Sequence, residues 1–182
     1  MSTETIIRHC APTLAGLKIS NLFSCSYGSI CELLRLIEEK NALLNEKDVY
    51  FAMLKAQKGT ALVLVYRKKL LEKTLAQDEI RTFLSPYGYT EFGIEACFSI
   101  LKEHLLHCEF PHEIGIFLGY PLEDVKGFIE HKGACSKCVG CWKVYTDAND
   151  AEKTFRKFKK CTSVYCKKFA EGFDIIRLTV AG

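Results

Sequence analysis

Three cysteines, Cys135, Cys138 and Cys141, fall at the spacing Cys-x2-Cys-x2-Cys in "ACSKCVGCWKVY" and bring three thiols into one short stretch. That donor set suits a tetrahedral iron or zinc ion, or an iron–sulfur cluster. A ferredoxin-type run would continue with a cysteine four residues on, and Tyr145 stands there instead. The fourth ligand would therefore come from a distance, with Cys108, Cys161, Cys166 and His131 as candidates. The competing reading is that the cysteines serve as small apolar residues.

Two further stretches offer different chemistry. In "RHCAPTLAG", Cys10 has Arg8 and His9 beside it, and positive neighbours favour the thiolate. In "FPHEIGIFLGYPLEDVKGF", His112 is followed directly by Glu113. A nucleophilic Cys10, with His112 as base or acid and Glu113 as orienter, is the arrangement that thiol catalysis requires. Lys18, Arg67 and Lys143 are the cations available to an anionic substrate group, and His9, Thr13 and Tyr120 complete the candidate ligand-binding set. Against this stand a Cys10 that is a partly buried bystander and a surface His112 that only caps a turn.

These residues must be positioned by elements that the apolar pattern reveals. "LAGLKISNLFSC" has a strand-like middle, and "SICELLRLIEEKNALLN" is a helix with Ser29 and Glu32 spaced as a capping box. "VYFAML" and "ALVLVYR" are strands joined through Gly59. Ala61–Val65 is apolar throughout, which predicts a central strand covered on both faces. Two helices follow between Arg67 and Pro86, divided near Gln77 and Asp78. In "GIEACFSILKEHLLH", Ile94, Cys97, Phe98, Leu101 and Leu105 share one face.

The Phe110–Phe128 stretch reads as a helix pair turning at Gly119, its second helix broken at Gly127. That second helix opens with Glu123 and Asp124, acidic where DNA phosphates would lie, so nucleic-acid recognition is disfavoured. "GCWKVYTD" reads as a short strand. A last long helix, capped at Asn149 or Asp150, carries Phe155, Phe158, Thr162, Tyr165 and Phe169 on one side, and "FDIIRLTV" closes the chain as a strand-like tail. The composite is an α/β or α+β fold, a small central sheet packed by about six helices, forming one domain over residues 1–182.

Apolar residues make up 48% of the chain, enough for a buried core. No run approaches the ~18 apolar residues of a membrane span, and the start lacks a signal-peptide pattern, so a cytosolic, non-membrane protein is expected. Ten cysteines in a reducing compartment are then thiols or ligands, not disulfides. Residues from Ala151 onward carry a net +5, against −2 for those before. Lys153, Arg156, Lys157, Lys159, Lys160, Lys167 and Lys168 make the last helix a candidate surface for an acidic protein partner.

The stretches "HCAPTLAGLK", "LVYR", "FPHEIGIFLGYPLEDVKGF", "WKVY" and "KCT" resemble the signature of a bacterial family of about this length, known from anaerobic, clostridia-like organisms as a domain of unknown function. The resemblance spans nearly the whole chain and implies no activity, substrate or cofactor. Its pattern takes in His9, Cys10, Pro12, Thr13, His112, Glu113, Gly119, Tyr120, Pro121, Glu123, Asp124, Trp142, Lys143 and Tyr145, but not Cys135 or Cys138. It thus implies a site near Cys10, His112 and Glu113 that binds or transforms a small molecule, ahead of a metal centre at the cysteine triplet. An anaerobic host would also explain the cysteine load without a metal.

Overall fold

The computed structural model describes residues 1–107 and 110–182 of the chain. Among them, β1 (Ser20–Ser26), β2 (Val49–Gln57) and β3 (Thr60–Arg67) form an antiparallel sheet in the order β1-β3-β2, which makes the fold α+β. Lys58 and Gly59 turn the β2–β3 hairpin with positive φ angles of 50° and 75°. β3 is the central strand, as its unbroken apolar run predicts.

The alternation of side chains along β3 divides the core in two. Ala61, Val63 and Val65 point to one face, where they pack with α1 (Thr3–Leu14), α2 (Ile30–Leu44) and α9 (Ile175–Leu178). Leu64 and Tyr66 point to the other, against α3 (Lys68–Leu75), α4 (Asp78–Leu84) and α5 (Ile94–His107). On that second face α5 buries Ile94, Cys97, Phe98, Leu101 and Leu105, the five positions that helical spacing selects. The short α6 (Ile114–Phe117) and α7 (Leu122–Glu130) complete this layer.

A small hairpin of β4 (Cys138–Val139) and β5 (Lys143–Val144) follows, and α8 (Ala148–Ala170) then packs along α1. Nine α-helices are thus present among the described residues, two of them (α6 and α9) a single turn, against the expected six or so.

Several local expectations need correction. The N-terminal segment, to which the apolar pattern assigns no element, is a helix, capped by the Ser2 side chain on the Thr5 amide, and Pro12 lies inside its last turn. Ser29 occupies the N-cap of α2 without a side-chain bond, so no capping box forms. Asp147, not Asn149 or Asp150, caps α8 by accepting from the Asp150 amide. The closing tail is not a strand, because Asp174 caps α9 by accepting from the Arg177 amide. Gly127 does not break α7; a Cβ there would lie 2.6 Å from Cγ of Tyr145, so glycine allows the ring to sit against the helix.

Candidate functional site

A sheet with helices on both faces leaves its edge strands as the places where the two layers can open to solvent. Along the edge strand β1, the α1–β1 connection, the α6–α7 turn, the β4–β5 hairpin and α8 enclose three adjoining clefts. The first, of about 480 Å³, is walled by Tyr120, Trp142, Phe128 and Leu118, with His112 and Lys143 among its polar residues. The other two are about 300 Å³ each. Tyr120 borders the first and third clefts, Trp142 the first and second, and Lys18 the second and third.

Asp124 holds this region together. Its side chain, 2% exposed, accepts from the Trp142 indole N–H at 2.8 Å through Oδ2. Through Oδ1 it accepts from the backbone amides of Tyr145 and Thr146 and from the Thr146 hydroxyl, at 2.8–2.9 Å. One buried carboxylate in the first turn of α7 therefore fixes both the hairpin and the tryptophan that it carries. Trp142 stacks on Tyr120, with ring centroids 5.2 Å apart and planes at 28°, and meets Phe155 of α8 edge-on. A Cβ at Gly140 would collide with the Phe155 ring at 2.1 Å, so the hairpin tip must be glycine to dock there.

Lys18 is delivered to the clefts by a tight turn. After α1, Gly16 adopts a φ of 70°, and the amides of Leu17 and Lys18 both donate to the Pro12 carbonyl. The lysine is only 9% exposed, and its Nζ lies 5.2 Å from the centre of the Tyr120 ring. Among the described residues it has no hydrogen-bond acceptor and no carboxylate partner. Desolvation pushes its pKa down to about 8, partly offset by the nearby Cys141 and Cys10. Burial in turn pushes the Tyr120 phenol up to about 12, and raises the Cys141 thiol as well.

The expected Cys10, His112 and Glu113 site does not assemble. Cys10 is fully buried in the core on the α1 face of the sheet, whereas Glu113 bonds to side chains on the opposite face. Desolvation drives the Cys10 thiol far above the ordinary cysteine range, the reverse of an activated nucleophile. Glu113 does orient a histidine, but that histidine is His104 of α5. Its Nδ1 lies 2.7 Å from Oε1 of the 3%-exposed carboxylate, and the Tyr89 hydroxyl donates to the same oxygen at 3.4 Å. His112 is exposed and meets Phe128 edge-on at the first cleft.

Arg67 and Thr13 are structural. The Arg67 guanidinium, 1% exposed, donates to the carbonyls of Thr13, Leu14, Lys47 and Val180, tying α1, the α2–β2 connection and the C-terminal tail together. Four of its five N–H groups are thus committed, which removes it from the set of ligand cations. The Thr13 hydroxyl donates to the Asn21 side chain at 2.7 Å. His9 is exposed, stacks on Phe23 and lines the third cleft. Lys143 donates to the Gly133 carbonyl at 2.6 Å while bordering the first.

The cysteine triplet does not converge either. Among the described residues, no three His, Cys, Asp or Glu side chains are grouped as a metal would need. Cys135 sits at a left-handed residue before the hairpin, Cys138 is in β4, and Cys141 lies beyond the Gly140 turn, close to the Lys18 charge. Of the proposed fourth ligands, Cys108 lies outside the described residues. His131 stacks on Tyr145, and Cys161 and Cys166 are on α8. The α6–α7 pair is no helix-turn-helix, because α6 is a single turn.

What fold and site define together is a class: an α+β protein with aromatic-walled clefts at one edge of its sheet. The sequence profile of DUF3793, a family of proteins of unknown function, matches residues 6–179, and the chain belongs to that family. No curated protein and no solved structure matches it. Among the described residues, no helix is long and apolar enough to cross a membrane.

Proposed function

We propose that the protein binds a small, planar, anionic molecule in the 480 Å³ cleft walled by Tyr120, Trp142 and Phe128. The observation that carries this reading is the composition of the cleft: an apolar, aromatic interior with Lys143 and His112 as its basic groups and Asp124 as its one carboxylate. The Asp124 carboxylate is consumed by its four hydrogen bonds, so it does not repel an anion as an unpaired acid would. The aromatic walls favour a flat ligand, and the lysine at the border favours a carboxylate or phosphate on it. The cytosol, with its reduced thiols, is the setting that the nine free cysteines among the described residues fit best.

Calorimetric titration with phenylacetate, phenyl phosphate, cyclohexylacetate and benzylamine tests the proposal. Binding should favour the two aromatic anions over the saturated anion and the amine, and it should weaken in Lys143→Met. Equal or absent binding of all four would refute it. The second reading, an interaction module, rests on α8, where Lys153, Lys157, Lys160 and Lys167 are exposed and form no ion pair among the described residues. It predicts binding to an acidic protein that weakens steeply with added salt.

A further inference from the structure

Lys18 has no part in the aromatic cleft, and its surroundings point to chemistry of a different kind. A lysine side chain that is nine-tenths buried without a counter-charge is costly to keep, and proteins hold such amines where they bind an anion or attack a carbonyl. Of the two clefts of about 300 Å³ that Lys18 borders, the third is also lined by His9, Asn21, Cys141 and Lys159 with no Asp or Glu, whereas Asp124, Asp147 and Asp150 line the second. Three basic side chains thus meet around the third cleft, which contains no acid.

We propose that Lys18 is a nucleophilic amine that captures a small carbonyl compound bearing a carboxylate or phosphate, such as an α-keto or aldehyde acid. The Nζ lone pair forms a bond to the carbonyl carbon while the C=O π pair moves to oxygen, giving a carbinolamine. Loss of that oxygen with the two amine protons, as water, leaves a neutral imine, and no oxidant or reductant is needed. Lys159 and His9, which also line the third cleft, receive the anionic group.

The physical requirements are met on both sides of the step. The reacting amine must be neutral, and burial lowers the Lys18 pKa to about 8. About a tenth of it is therefore unprotonated at pH 7, some hundreds of times the fraction for a solvent-exposed lysine. The Tyr120 ring, 5.2 Å from Nζ, covers the amine without offering a carboxylate that would lock it as an ammonium. This inference is independent of whether the aromatic cleft is occupied, since it concerns a different cavity and a different group.

The test is reductive trapping. The intact protein is incubated at pH 7 with one equivalent of glyoxylate and cyanoborohydride, and the carboxymethylated lysines are located by peptide mass spectrometry. Lys18 should be modified at least tenfold faster than any other lysine, and excess phosphate or sulfate should slow that labelling by competing at Lys159 and His9. Lys18→Met should remove the fast event and leave the slow background. Labelling spread evenly over the exposed lysines of the wild type, with Lys18 unmodified, would overturn the proposal without reliance on any variant. Fast labelling of Lys18 that is indifferent to competing anions, and equal for neutral acetaldehyde, would overturn the assignment of an anionic substrate.

Discussion

Replacing Lys18 by methionine should stabilise the protein at neutral pH, and the size of the effect follows from its burial. In the folded protein Lys18 is 9% exposed, and its pKa falls from the ordinary lysine value of 10.5 to about 8. At 1.36 kcal/mol for each pH unit, keeping that proton in the folded state costs about 3 kcal/mol. The cation–π contact with Tyr120 returns about 1 kcal/mol that methionine lacks, which leaves a net gain of about 2 kcal/mol for Lys18→Met at pH 7. The sign with pH is fixed by linkage. Between pH 8 and 10.5 the unfolded chain still binds the proton and the folded chain does not, so wild-type stability rises through that window.

The advantage of the variant should therefore be full below pH 8 and shrink as the pH rises above it. Urea unfolding of both proteins under reducing conditions, at pH 6, 7, 8 and 9, measures the difference. His9, Lys159, Cys10, Cys141 and Tyr120 face Lys18 on one side, and Asp124, Asp147 and Asp150 line the cleft on the other. They are present in both proteins, which is why the difference, not either curve, is the quantity to read. A variant less stable than wild type at pH 7, by an amount unchanged at pH 9, would refute the reasoning.

Three further outcomes follow from the same geometry. Asp124→Ala should destabilise the protein by about 3 kcal/mol or more, because it strands two backbone amides, the Thr146 hydroxyl and the Trp142 indole; a red shift of tryptophan emission should accompany the loss in urea titrations. Arg67→Lys should cost about 2–4 kcal/mol in the same assay, since one ammonium cannot reach the carbonyls of three separate segments that the guanidinium joins. Cys10→Ser should leave the extent of alkylation by iodoacetamide in the native protein unchanged by intact-mass analysis, because Cys10 is buried and undissociated while Cys31, Cys135 and Cys141 are exposed.

The elements that sequence reveals best are those whose pattern is decided locally. The apolar run of β3 specifies a strand covered on both faces, and the spacing in α5 specifies its buried face residue by residue. α1 has no counterpart in the apolar pattern; Pro12 stands in its last turn, where a proline forfeits only one bond, and its carbonyl serves the turn that delivers Lys18. Gly127 reads as a breaker because sequence does not show that Tyr145 presses against it.

The site was legible in its parts and not in its pairings. Lys18, Tyr120 and Lys143 stand out as candidates and do line the clefts, but Cys10 and Glu113 are kept apart by the sheet, a relation that no spacing encodes. His104 gave no signal at all; it lies within an ordinary amphipathic helix and acquires its carboxylate partner only when α5 meets the segment before α6. Arg67 looked like a ligand cation because the carbonyls that occupy it come from three separate stretches of chain. Asp124 reads only as one of two acids opening a helix, and its four hydrogen bonds appear only when the hairpin folds onto it.

Trp142 is the only tryptophan in the chain and forms part of the wall of the aromatic cleft, so its fluorescence reports directly on whether that cleft binds a ligand. The most direct measurement is a titration of wild-type protein with phenyl phosphate, excited at a wavelength that the probe does not absorb, alongside Lys143→Met. A saturable change in Trp142 emission that is weakened by Lys143→Met is the predicted result. An emission spectrum that stays unchanged at millimolar probe, or saturates identically in the variant, would contradict the claim that this cleft takes an anionic aromatic molecule.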